Sequence, residues 1–365
     1  MAERGATPKV PEVRRRALRA VRSLFSPLLP DDYLELINPL WSTRELRGRI
    51  ERIDQETPEA VTVTIRPGHE WTGHRPGQYL RIGVVVDGVH HWRAYSLTSE
   101  PERADGCISI TPKLVDAGKV SPYLVRRARP GDIVRLGGVE GTFVLPDPLP
   151  QKLLFISAGS GITPIMSMLR SLARRDAIAD VVHIHSARDE GRVIFGERLA
   201  EIDRSHEGFD LRLRLTGEEG RIAPADLDEI CPDWRLRHTF LSGPAEMLDA
   251  MSERWEREGD SRLLSMERFQ PVIGGDAGEG DGGTVCFVKS GVEAECDGGT
   301  PILAGGEEAG AVLPFGCRMG ICHTCVGKLR SGRVRDLRTG EIHGSDGEMV
   351  RTCVNAPEGA IEIEL

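Results

Sequence analysis

Four cysteines near the C-terminus constrain this chain more than any other feature. Cys317, Cys322, Cys325 and Cys353 are spaced C-x4-C-x2-C-x27-C. The first three lie in a glycine-punctuated loop, Pro314-Phe315-Gly316-Cys317-Arg318-Met319-Gly320-Ile321-Cys322-His323-Thr324-Cys325. This is the spacing that holds a [2Fe–2S] cluster, whose two irons need four thiolates beyond the bridging sulfides. Gly316 and Gly320 let backbone amides approach the sulfurs, where N–H groups tune the potential. A structural zinc site usually takes two C-x2-C pairs, and only one is present. A disulfide framework requires an oxidising compartment. A cluster of this type carries one electron at a time, so the rest of the chain should contain an electron source.

At 365 residues the chain is long enough for two or three domains. Residues 1–42 read as helical, broken at Pro27 and Pro30, with a second short turn over 31–41. From 43 to 147 the texture is that of short strands (LRGRIERI, AVTVTIRP, QYLRIGVVVDG, HWRAYSLTS, CISITPKLV, DIVRLGGV) separated by turns at Pro67-Gly68, Pro76-Gly77, Asp87-Gly88 and Pro130-Gly131. That pattern predicts an antiparallel β-barrel or sandwich. Residues 148–270 alternate apolar strands with helical segments, the signature of a doubly wound α/β domain. Residues 271–283, with the Gly/Asp-rich stretch PVIGGDAGEGDGG, read as a flexible linker. Residues 284–365 form the cluster domain. The whole is a multidomain chain.

The net charge of −9 argues against a nucleic-acid partner. No apolar run approaches the roughly 20 residues of a membrane span, and no signal peptide is evident, so a cytoplasmic location is expected. Residues 1–30 carry seven basic residues against two acidic ones, interleaved with Leu18, Val21, Leu24, Phe25, Leu28 and Leu29. A basic amphipathic helix of this kind either lies on an anionic membrane surface, here the inner face, or packs on the protein's own body.

Four further motifs carry chemistry. In Arg93-Ala94-Tyr95-Ser96-Leu97-Thr98-Ser99, the Arg suits a phosphate, the Tyr a flat flavin ring and the Ser a ring nitrogen. Gly118-Lys119-Val120-Ser121-Pro122-Tyr123-Leu124 reads as a turn entering a helix, with backbone amides and Ser121 offered to a pyrophosphate. Gly159-Ser160-Gly161-Ile162-Thr163-Pro164 joins a strand to a helix, where glycines admit a dinucleotide pyrophosphate. Pro164 is expected at the first helical position. No acidic residue closes the second α/β strand; Ser186 and Arg188 stand there, and Arg188 suits the 2′-phosphate of NADPH, the alternative being a surface arginine. Leu241-Ser242-Gly243-Pro244 is expected to end the last strand of the sheet, where ligands bind. Phe269 is either a cover on the flavin face opposite Tyr95 or a packing residue. His90, His91, His183 and His185 read as structural.

In this order, RAYSLTS, GKVSPYL, GSGITP and LSGP resemble the ferredoxin–NADP reductase superfamily. The C-terminal cysteine motif resembles its single-chain oxygenase- and desaturase-reductase branch. The segment DDYLELINPLWSTRELRGRI is similar to actinobacterial reductases thought to serve membrane acyl-CoA desaturases. The resemblance implies a flavin-binding barrel, a nucleotide-binding α/β domain and a β-grasp ferredoxin domain. It further implies FAD (FMN being the alternative), NADPH (NADH being the alternative) and a [2Fe–2S] cluster. It places Arg93 on a flavin phosphate, Tyr95 on the isoalloxazine, Ser96 at N5 with Leu97 beside it, and Gly118, Val120 and Ser121 on the pyrophosphate. Gly159, Gly161, Thr163, Pro164, Ser186, Arg188, Gly243 and Pro244 fall on the nicotinamide dinucleotide. Tyr95, Ser96 and Ser242 fall at the reacting centre, where the family commonly has Cys in place of Ser242. The implied activity passes single electrons from NADPH, through flavin and cluster, to a fatty acyl desaturase or similar di-iron oxygenase. The alternatives are a reductase for a soluble oxygenase or cytochrome P450, and an electron-carrier or redox-sensing module without turnover.

Overall fold

The strand texture from Arg47 to Glu140 produces six antiparallel strands: β1 Arg47–Thr57, β2 Ala60–Pro67, β3 Tyr79–Val86, β4 Val89–Ser96, β5 Ile108–Ile110 and β6 Ile133–Glu140. This computed structural model describes residues 37–115, 118–269, 280–315, 320 and 323–365. The basic segment 1–30, most of the 31–41 turn, most of the expected linker, and Cys317 and Cys322 lie outside the described residues. The described part of 31–41 is a 3-10 turn, Pro39–Trp41, capped by the Asn38 side chain, which accepts the Leu40 N–H at 3.0 Å.

The barrel strands run in the order β4-β3-β6-β1-β2-β5. A bridge from Leu97 to Ile110 closes the sheet, so its inward residues (Ile50, Val63, Ile65, Leu80, Ile82 and Ile110 among them) form one core. The Asp87-Gly88 turn has positive φ at both residues, 52° and 80°, the geometry a tight β3–β4 hairpin demands. Helix α1, Val120–Arg126, follows β5.

The α/β domain has five parallel strands: β7 Leu153–Ala158, β8 Val181–Ala187, β9 Phe209–Leu215, β10 His238–Ser242 and β11 Leu264–Glu267, in the order β11-β10-β7-β8-β9. Sequence reasoning stopped one strand early, because Leu-Ser-Met-Glu is too short and mixed to announce itself; β10 is therefore not the last strand. Helices α2, Ile162–Arg174, and α3, Gly196–Ser205, cover one face. Helix α4, Ala245–Glu258, covers the other, beside Trp234. Helix α3 begins later than the apolar run Val193-Ile194-Phe195 suggests, because Phe195 sits at φ 62° and those three residues are spent on the core.

The chain falls into two compact units, Met1–His91 with Tyr95–Arg268 and Trp92–Ala94 with Phe269–Leu365. The second unit is a mixed sheet of β12 Gly283–Phe287, β13 Val292–Cys296, β14 Val326–Asp336, β15 Ile342–His343, β16 Met349–Arg351 and β17 Asn355–Glu364. Its order is β13-β12-β17-β14-β15, with β16 on β14. Strands β12 and β17 are parallel and the other pairs antiparallel. Helix α5, Ile302–Glu308, packs Ile302 and Leu303 into the core that also holds Cys325 and Cys353.

Candidate functional site

The turn after β7 is built for close approach. Gly159 has φ 53° with open space on its Cβ side, so its need for glycine is conformational. Gly161 has an ordinary φ of −61°, but a Cβ there would lie 2.1 Å from the Ser242 carbonyl oxygen and 2.8 Å from the Gly243 nitrogen. The glycine loop and the end of β10 are thus in backbone contact. Helix α2 starts at Ile162, which puts Pro164 at its third position rather than its first. The missing N–H still costs nothing, since the first four amides of a helix have no intrahelical partner. Thr163 is buried and its hydroxyl donates to the Ser160 carbonyl at 2.9 Å, tying the loop down.

A cavity of about 480 Å³ opens at this carboxyl end of the sheet, lined by Gly159, Ser186, Arg188, Arg221, Pro244 and Met247 together with Lys113 and Glu59 of the barrel. Ser186 is buried, and its hydroxyl has no hydrogen-bond partner among the described residues. Arg221 pairs with Glu246 at 2.5 Å, and Arg192, also on the wall, pairs with Asp189. Arg188 is exposed and has no ion-pair partner among the described residues. The residues suit a phosphorylated nucleotide: an uncommitted guanidinium, an orphaned hydroxyl and backbone without side chains on one wall.

The segment carrying Tyr95 and Ser96 ends β4. Arg93 and Tyr95 are partly buried, and Tyr95 packs against the barrel core; Ser96 and Leu97 are buried. The next two residues are bolted to α2. The Thr98 carbonyl accepts Arg170 Nη1 at 2.7 Å, and the Ser99 carbonyl accepts Ser167 Oγ at 2.6 Å and pairs with His74 Nε2 at 3.0 Å. Arg175 and Ser171 of the same helix engage Glu102. The helix that follows the Gly159–Gly161 turn therefore holds the strand end that carries Tyr95 and Ser96. Gly118 precedes α1, whose Val120 and Ser121 are buried; Ser121 Oγ accepts the Val115 N–H at 3.1 Å and keeps its own proton to donate. Asp116 and Ala117 of this loop lie outside the described residues.

Sequence reasoning missed Glu267. In the parallel ladder Ser242 pairs with Glu267, so a hydroxyl and a carboxyl stand side by side at the carboxyl ends of β10 and β11. Burial pushes the Glu267 carboxyl up to about 7. The Ser242 hydroxyl is buried without a hydrogen-bond partner among the described residues. No local signal marks Glu267; only the register of two strands 20-odd residues apart brings it in. Phe269, two residues further on, is partly buried and is the last described residue before the gap.

His183 and His185 are fully buried and share one hydroxyl: Ser157 Oγ lies 2.9 Å from His183 Nε2 and 2.7 Å from His185 Nδ1. Burial drives the pKa of His185 down to about 4 and that of His183 well below its usual value, so both rings are neutral core groups. His90 is exposed and His91 partly so, on the outer part of β4.

In the second unit, Cys325 and Cys353 are buried, and the Gly320 N–H donates to Cys353 Sγ at 3.2 Å. Gly320 has φ 71°. The Cys325 carbonyl accepts Thr352 Oγ1 at 2.8 Å, linking the segments that carry the two sulfurs. Buried thiols, an amide on sulfur and a left-handed glycine fit a thiolate-held cluster.

Residues 57–145 match the family described as an oxidoreductase FAD-binding domain, residues 155–253 an oxidoreductase NAD-binding domain, and residues 287–358 a 2Fe-2S iron-sulfur cluster binding domain. An NADPH oxidoreductase of Mycobacterium tuberculosis is 46% identical over 353 residues, 96% of this chain and 92% of that protein. The stachydrine N-demethylase reductase subunit of Rhizobium meliloti is 29% identical, covering 89% and 97%. Among solved structures, phthalate dioxygenase reductase superposes with a TM-score of 0.58 at 19% identity, over 88% of this chain and 98% of that one.

Proposed function

We propose a function from one premise, that this chain belongs to the family of ferredoxin-reductase-type NAD(P)H oxidoreductases carrying FAD-binding, NAD-binding and 2Fe-2S domains in one polypeptide. Its cofactors are FAD, a [2Fe–2S] cluster and a nicotinamide nucleotide. The function is NADPH-dependent delivery of single electrons to an oxygen-activating partner enzyme. The observation that carries the nucleotide preference is Arg188 beside the orphaned Ser186 hydroxyl, with no acidic residue at the end of β8. A carboxylate there would select NADH through the ribose hydroxyls; a guanidinium selects the 2′-phosphate. The naming of the 46% identical relative as an NADPH oxidoreductase supports the same reading.

When bound, the nicotinamide and flavin supply hydride chemistry, and the cluster supplies one-electron transfer. The chain's own residues do the positioning. Gly159 and Gly161 admit the pyrophosphate to the α2 N-terminus, with Thr163, Pro164, Gly243 and Pro244 shaping the walls. Arg93, Leu97, Gly118, Val120 and Ser121 hold the flavin, Tyr95 lies on its ring, and Ser96 hydrogen-bonds it. Ser242 offers a polar contact at the nicotinamide end, and Glu267 holds a proton on its carboxyl near neutrality beside it. Cys317, Cys322, Cys325 and Cys353 ligate the irons.

The acceptor is read from chemistry and relatives together. Relatives include reductase subunits named for stachydrine N-demethylase and glycine betaine monooxygenase, which supports an oxygenase-type acceptor. The similarity of residues 31–50 to desaturase reductases favours the membrane fatty acyl desaturase within that class, with the basic segment 1–30 as a peripheral membrane contact. Among the described residues no helix is long and apolar enough to cross a membrane. The electron-carrier module without turnover is set aside by the membership of an enzyme family.

The test is Arg188→Ala. Loss of a charge-assisted contact worth about 1.5–3 kcal/mol raises KM for NADPH roughly 10- to 100-fold and leaves KM for NADH within about twofold. An equal effect on both nucleotides rejects the NADPH assignment.

A further inference from the structure

Gly320 is approached from three sides. Its N–H points at Cys353 Sγ, 3.2 Å away. Its carbonyl accepts Arg351 Nη1 at 2.9 Å. A Cβ built on it would lie 2.9 Å from Arg338 Nη1 and 2.8 Å from Val354 Cγ2. Two guanidinium groups, one on β16 and one in the turn after β14, thus converge on the residue whose amide touches a cluster sulfur.

Arg338 is not free to swing away. Its Nε and Nη2 both bond the Asp336 carboxylate, at 2.9 and 2.5 Å, and its own backbone N–H bonds the same carboxylate at 2.9 Å. Only Nη1 is left facing Gly320. The Asp336 carboxylate is itself held below its usual pKa, Arg338 and Arg351 both contributing. The group therefore consists of two fixed cations and one fixed anion, with the cationic ends toward Gly320.

We propose that Arg338 and Arg351 are positioning residues that raise the reduction potential of the [2Fe–2S] cluster. A cluster held by four thiolates is anionic and gains one more negative charge on reduction, so fixed positive charge beside it favours the reduced form. Arg351, through the Gly320 carbonyl, also helps to hold the Gly320 amide on Cys353, which acts in the same direction, because an N–H bond to a thiolate offsets negative charge on sulfur. Asp336 orients Arg338 and opposes it in sign. The inference rests on the cluster assignment, and iron and acid-labile sulfide content tests that assignment separately.

A purely structural role, stapling the 336–340 turn, makes a different prediction. Asp336→Asn and Arg338→Met both break the staple and would disturb the cluster alike. The electrostatic role makes them opposite. The experiment is a dye-mediated redox titration of the full-length, flavin-loaded protein, with the reduced cluster read by electron paramagnetic resonance. Arg338→Met is expected to shift the one-electron equilibrium about tenfold toward the oxidised form, a fall of about 59 mV. Asp336→Asn is expected to raise the potential, and Arg338→Lys to recover most of the loss. Arg351→Gln keeps an amide donor and removes the charge; it is expected to lower the potential, and it stands in for Arg338→Met if that variant holds less iron and sulfide than the parent. Shifts of the same sign for Asp336→Asn and the arginine variants, or fully loaded arginine variants at the parent potential, overturn the proposal. Parent protein without iron and sulfide would instead defeat the cluster assignment.

Discussion

Replacing Gly161 with alanine isolates the steric logic of the dinucleotide loop. The new methyl carbon would sit 2.1 Å from the Ser242 carbonyl oxygen, 2.5 Å from the Ser242 carbonyl carbon and 2.8 Å from Gly243 N. All three are backbone atoms, so no flexible side chain can turn aside. Strand β10 cannot retreat alone either, since it is laddered to β7 on one side and β11 on the other. Relief requires prising the glycine loop off the strand end by about an ångström, and overpacking of this kind costs about 1–3 kcal/mol. For a unit of this size that corresponds to a fall in melting temperature of about 3–10 °C. On the proposed function the displaced loop moves the proposed pyrophosphate subsite away from Ser242, so nicotinamide nucleotide affinity and flavin reduction should both fall, by about tenfold or more. Gly159→Ala is the control. Its Cβ meets nothing within 4 Å, and its cost is the left-handed φ of 53°, about 1 kcal/mol. Thermal melts and anaerobic stopped-flow flavin reduction compare the two. If Gly161→Ala matched Gly159→Ala in melting temperature and bound NADPH within twofold of the parent, the contact between loop and strand would not be the constraint claimed for it.

Two other perturbations follow from the same geometry. The Glu267 carboxyl is raised from 4.5 to about 7 by burial, so folding favours its neutral form, and stability is lost as pH rises from about 4.5 to about 7 and is level above that. The gap corresponds to about 3 kcal/mol at most, so Glu267→Gln should differ least from the parent at pH 4 and gain on it progressively up to pH 8, and a pH-independent difference would contradict this. Arg170→Met removes the donor to the buried Thr98 carbonyl and should cost about 1–3 kcal/mol, with flavin released more readily on gel filtration; unchanged stability and flavin retention would mean the α2 contact does not hold the β4 end.

The chemistry-bearing motifs were legible from the chain alone because their information is local. Four cysteines at a fixed spacing, a strand–glycine–helix turn and an Asp-Gly hairpin each need only the residues beside them in sequence. Strand–helix alternation likewise announced the parallel sheet, and alternation without helices announced the barrel. Tertiary structure decided what depends on register and on contact between distant segments. Glu267 enters the site only because β11 lies parallel to β10 and opposite Ser242. Arg170 and Ser167 matter because α2 lands on the end of β4, and Gly161 matters because β10 passes within van der Waals range. Arg338 and Arg351 are 13 residues apart and unremarkable in sequence; folding brings both guanidinium groups to Gly320. Spacing along the chain specifies which atoms bind a cofactor, whereas the charges and protons around them are set by long-range packing, which no single segment encodes.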